Sequence, residues 1–150
     1  DKKKLWLGES KLYKTGDAGV RDLAEDIKKH VNADYLRREF SLISKKLPES
    51  IPEIEYWRSL MDEHQKLDVI FSNIVIPMVC TYNSDLFKNH CVESNKYFEV
   101  FISECTARCK TFDKLKGNVS TEVILMLLPV QNKAMLNTEL DKRLKLMQQI

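Results

Sequence analysis

Four cysteines, Cys80, Cys91, Cys105 and Cys109, have the widest chemical repertoire in this chain of 150 residues, and an even count invites a disulfide or a metal site. Spacing argues against both. On one helix Cys91 and Cys105 would stand about 21 Å apart at 1.5 Å per residue, against a bridging limit of about 7 Å between Cα atoms. Cys105 and Cys109 lie one turn apart, but a regular helix does not aim their side chains into disulfide geometry. No CxxC pair is present, and His90 beside Cys91 faces another side of a helix. The thiols read as packing residues, unpaired and metal-free, which implies a reducing compartment, nucleus or cytoplasm. His64, near Asp62 and Glu63, offers either a proton carrier held by a carboxylate or a partly buried histidine bonded to a neighbour. There is no GxSxG, HExxH, P-loop or dinucleotide fingerprint, and four unclustered glycines make no phosphate cradle. No catalytic residue, cofactor or metal ligand is nominated, and a non-enzyme is expected.

Charge and aromatics point instead to binding. Residues 1–47 balance to +4, residues 48–104 to −6 and residues 105–150 to +4, within a net charge of +2. Neighbouring antiparallel helices could complement one another this way, or a basic face with Lys28, Lys29, Arg37, Arg38, Lys45 and Lys46 could meet an acidic partner. An isoelectric point near 8.3 is low for a nucleic-acid domain. Trp6 and Tyr13 stand outside any helical period, as Leu5 and Leu12 do, so these four either anchor the N-terminal arm or present a binding surface.

The elements that would position these residues read as helices. Val20 to Lys116 contains no glycine and only Pro48, Pro52 and Pro77, a run that suits long helices and starves hairpin turns. Residues 1–16 form an irregular arm packed on the body. Asp17 caps a helix with Val20, Leu23, Ala24, Ile27 and Val31 on one face, and Asp34 recaps a segment carrying Leu36, Phe40, Ile43 and Leu47, in one bent helix or two. Ser50-Ile51-Pro52-Glu53 has capping-box form and opens a long helix from Ile54 through Trp57, Met61, His64, Leu67, Phe71 and Ile74 to about Cys80, kinked or closed by Pro77. Asn83 or Ser84 starts the next, with Phe87, Cys91, Ser94, Phe98, Phe101, Cys105, Arg108 and Phe112 in heptad steps and Gly117 just past its end. Val123 to Leu128, apolar on every side, is expected as a core helix, bent or divided at Pro129, with a last segment capped by Thr138.

The fold expected is therefore all-α: a single domain over residues 17–150, a bundle of four or more long, mostly antiparallel helices, with essentially no sheet. The longest apolar run is six residues, far short of the roughly 20 that span a membrane. The opening on Asp1 rather than Met suggests a piece of a longer protein. The expected function is an intracellular domain that binds another protein within a scaffold or multi-subunit assembly. Leu5, Trp6, Leu12, Tyr13, Arg37, Arg38, Lys45 and Lys46 would carry the contact. The alternatives are a nucleic-acid-associated module using the basic first helices, and a regulatory domain of an enzyme encoded elsewhere in the parent chain.

Overall fold

Val75, Ile76, Val79, Thr81 and Tyr82 are β-branched or aromatic, and they lie in a strand rather than at the end of a long helix. The computed structural model describes residues 3–89 and 92–148. In chain order it contains β1 (Leu5–Trp6), β2 (Glu9–Tyr13), α1 (Gly16–His30), α2 (Ala33–Ser44), α3 (Ile54–Leu60), α4 (Leu67–Asn73), β3 (Ile74–Asn83), α5 (Leu86–Asn89), α6 (Asn95–Lys116), β4 (Glu122–Val130) and α7 (Lys133–Met147). The protein is α/β, and the all-α bundle is incorrect. Crossovers, not hairpins, connect parallel strands, so a glycine-free stretch excludes hairpins without excluding sheet.

β3 is central and every pairing is parallel. Leu5 pairs with Ile74 and Trp6 with Val75, and Glu9 to Tyr13 pair with Met78 to Tyr82 at the same offset. β1 and β2 are thus one edge strand in constant register, interrupted where Leu7 and Gly8 face Ile76 and Pro77. Pro77 has no N–H to give to a ladder. A Cβ on Gly8 would come within 2.1 Å of the Pro77 carbonyl oxygen, so only glycine lets the backbone pass there. On the other side β4 pairs with β3 from Val75–Glu122 to Asn83–Val130. The run Val123 to Leu128, expected as a core helix, is this strand, and Pro129 lies within it opposite Tyr82 rather than bending a helix.

Helices α1 and α6 pack against each other, and α1 packs on β3. The core lies between them and the sheet. It gathers Val20, Leu23, Ala24 and Ile27 of α1, Leu36 and Phe40 of α2, Ile70 of α4 and Phe112 of α6 onto Ile74, Ile76, Met78, Cys80 and Tyr82 of β3. The α1 face is the one expected from spacing, although Thr15, not Asp17, accepts the capping bond, from the Ala18 N–H at 3.4 Å. α1 and α2 are separate helices, because Asn32 caps the second through the Asp34 and Tyr35 N–H groups, both at 3.1 Å. The capping box at Ser50 is not used: α3 begins after Glu53, which has φ 61°, and it ends before His64. α6 starts at the Ser94 cap and stops at Gly117, whose φ of 66° suits a residue without Cβ. Thr138 is interior to α7, donating to the Ala134 carbonyl, and Asn132 supplies the cap.

Among the described residues the opposite face of the sheet is less completely covered, although Val75 on it is buried. Side chains alternate along a strand, so Trp6, Leu12, Val79, Ile124, Met126 and Leu128 share it, with Trp6 58%, Met126 37% and Leu128 51% exposed. α7 buries none of its residues.

Candidate functional site

Along the edge strand the row facing the helices changes character halfway. Leu5 and Leu7 pack against the core, whereas the next three positions in that row are Glu9, Lys11 and Tyr13. α1 follows β2 directly and runs back along it. Four residues of helix advance about 6 Å and two of strand nearly 7 Å, so partners can repeat in step. They do so three times. Tyr13 donates its hydroxyl to Asp22, Lys11 meets Asp26, and His30 Nε2 stands 3.3 Å from Glu9 Oε2. Lys11 Nζ is also 3.2 Å from Glu9 Oε1, and Lys29 Nζ donates to Asp26 Oδ1 at 2.7 Å. One ammonium therefore lies between two carboxylates from different elements.

Burial sharpens these charges. The Asp26 side chain is only 10% exposed and that of His30 13%. Burial alone would raise the Asp26 pKa, but hydrogen bonds from Lys11 and Lys29 outweigh it and hold the carboxyl below its ordinary value. The bond to Asp26 raises the Lys11 pKa against its own desolvation, with Glu9 adding to the rise, so Lys11 remains an ammonium through the neutral range. Burial, followed by the bond to Asp22, pushes the Tyr13 phenol up to about 12. His30 Nδ1 is buried and has no hydrogen-bond partner. Two anionic oxygen donors and a permanent cation on one ledge can bind a cation and an anionic substrate together, and Lys11 can neutralise charge but not accept a proton. Among the described residues no three His, Cys, Asp or Glu side chains converge as a metal cage.

The residues singled out from the sequence are dispersed. Leu5 packs on the core, Trp6 and Leu12 lie on the opposite sheet face, and Tyr13 forms the first of the three rungs. Arg37 is tied to the carbonyls of Glu63 and Gln65, while Arg38, Lys45 and Lys46 are exposed on α2 and just after it. His64 is 87% exposed in its side chain and follows α3, not a buried seam. Cys80, Cys105 and Cys109 are free thiols, Cys80 buried on β3; Cys91 and His90 lie outside the described residues. Glu9, Lys11, Asp26 and His30 were not singled out. The signal available was Glu-x-Lys, meaningful only once residues 9–13 are taken as a strand.

The family model named HamA matches residues 1–144, and the chain belongs to that family. No curated protein and no solved structure matches it significantly.

Proposed function

We propose that this HamA-family chain hydrolyses phosphodiester bonds with the help of a divalent cation, at the ledge formed by Glu9, Lys11 and Asp26. The observation that supports the reading is the placement of Lys11 between two carboxylates, from strand and helix, beside the partly buried His30. Magnesium is commonly held by one or two carboxylates with substrate phosphate and water completing its shell, so Glu9 and Asp26 need no third acidic partner. Held there by Glu9 and Asp26, a divalent cation would supply Lewis-acid activation of water. Overall, water gives up a proton to solvent as its oxygen bonds to phosphorus, the bond to the leaving oxygen breaks, and the leaving oxygen takes up a proton from solvent. Lys11 stabilises the added negative charge, the part open to a group that remains cationic. His30 positions Glu9. This reading replaces the expected non-enzyme with a catalytic module.

The test is hydrolysis of a chromogenic phosphodiester and of labelled DNA and RNA, with magnesium or manganese and with chelator. Activity should require the metal and fall about 100-fold or more in Glu9→Gln, Asp26→Asn and Lys11→Met, while the exposed Asp62→Asn leaves it unchanged. Metal-independent activity, or none on any phosphodiester, overturns the reading.

A second reading, the protein-binding role expected from the sequence, is favoured by the opposite sheet face. Parallel sheets are ordinarily covered on both faces, and here Trp6, Met126 and Leu128 are open. A partner seated on that face would leave the charged ledge accessible. Substituting Met126→Glu and Leu128→Glu should then abolish complex formation without changing hydrolysis.

A further inference from the structure

Directly beyond the ledge, where α1 ends and α2 begins, Lys28, Lys29, Asn32 and Tyr35 line a cavity of about 380 Å³. Two contacts connect it to the ledge. Lys29 bonds Asp26, and the Tyr35 ring stands edge-on to His30 at 5.4 Å between centroids and 81° between planes. His30 in turn reaches Glu9. Its lining residues are two lysines, an asparagine and a tyrosine, with no acidic side chain, and of the two ammonium groups that of Lys29 is bonded to Asp26. Lys28 has no ion pair among the described residues, and no other ring is stacked on Tyr35 there. The Asn32 oxygen is committed to the Asp34 and Tyr35 N–H groups, which leaves its NH₂ as the outward donor.

A flat π-face beside two lysines suits a planar group attached to an anionic backbone. Base stacking on an aromatic side chain is tolerant of sequence, and phosphates are met by lysine as point charges. In a duplex both faces of a base are already stacked, so an extended strand can offer its base to Tyr35 only if it is unpaired or pays to unstack. We infer that the Lys28–Lys29–Asn32–Tyr35 cavity holds an unpaired nucleotide of single-stranded nucleic acid, its base on Tyr35 and its phosphate against Lys28. This rests on the phosphodiester reading for what happens at the adjoining ledge, and it makes single strands the preferred substrate.

The test is fluorescence anisotropy with a short labelled oligothymidylate and a hairpin duplex, in chelator so that no cleavage intervenes. Tyr35→Leu, which keeps an apolar group against His30 without a π-face, should weaken single-strand binding about tenfold and leave duplex binding within about twofold, while Tyr35→Phe binds as the parent does. Lys28→Glu, exposed and outside the core, should weaken single-strand binding and reduce its salt dependence. Circular dichroism checks that each variant is folded, and Lys28→Glu carries the test if Tyr35→Leu is not. Parent-like binding by both variants, equal loss on duplex, or no oligonucleotide binding by the parent overturns the inference. Tyr35-dependent binding without metal-dependent cleavage rejects the hydrolytic reading alone; cleavage with Tyr35-independent binding rejects the cavity alone.

Discussion

Helices α1 and α7 have the same length and the same kind of start, and they have opposite fates. Each spans 15 residues and each opens on a polar side chain that accepts a backbone N–H, Thr15 in one and Asn132 in the other. α1 places Val20, Leu23, Ala24 and Ile27 at 0% exposure, whereas α7 leaves Met135, Leu140, Leu144 and Leu146 each at 55% or more. The difference teaches that capping and propensity form a helix but connection decides its use. α1 sits in the crossover between parallel strands, so the chain must bring it back over the sheet. α7 follows β4 and, among the described residues, leads into no further strand that would draw it back over the sheet.

The widest separation between the two comes from core truncation. Leu23→Ala should cost about 2–5 kcal/mol in urea unfolding. A loss below about 1 kcal/mol would mean that α1 is as peripheral as α7. Next comes the charged side of α1. Asp26→Ala leaves Lys11 with Glu9 as its one carboxylate partner, beside a partly buried void, and should cost about 1–3 kcal/mol, and Lys11→Met in the same chain should recover part of this. If the double variant is no better than the single, the two groups do not act as a pair.

Alkali should separate α1 and its strand from α7 more gently. Burial holds the Cys80 thiol up at about 11, and Tyr13 titrates near 12, both above their unfolded values. A raised folded pKa stabilises fully below the unfolded value and ceases to do so as pH climbs through the folded one. Stability should therefore be level to about pH 9, the ordinary thiol value, and decline between there and about 12. In acid the depressed Asp26 carboxyl acts with the opposite sign, and its contribution disappears below about pH 4. Thermal melts across pH check both limbs. The smallest effect belongs to α7: Leu140→Ala and Leu144→Ala should each stay within about 0.5 kcal/mol of the parent, and a larger change would show that α7 packs on something in solution.

Which parts of this could be read beforehand follows from period. The inner face of α1 was legible because 3.6-residue spacing over 15 residues has few imitators. β3 was not, since Phe71, Ile74 and Met78 continue the steps of three and four set by Ile54 and Trp57 straight into the strand. Val123 to Leu128 carries no period at all, and burial on every side is compatible with helix or strand. The edge strand concealed its alternation in another way. Its inward row passes from Leu5 and Leu7 to Glu9 and Lys11, and its outward row contains Trp6 and Leu12, so polarity never sorts by face. The charged ledge was hidden with it: Asp26 sits 15 residues from Lys11, and the two meet only because helix and strand run in opposite directions.

The gap where Gly8 passes Pro77 divides the edge strand into two cooperative units. Both pieces pair with β3, but beneath the first lie the apolar contacts of Leu5 and Leu7, whereas the second adds the charged contacts of Glu9 and Lys11 to the packing of Tyr13. In hydrogen-exchange terms the amides of residues 9–13 should open as a separate low-energy unit, with protection that depends on salt and on Asp26, while the amides of β3 exchange only with global unfolding.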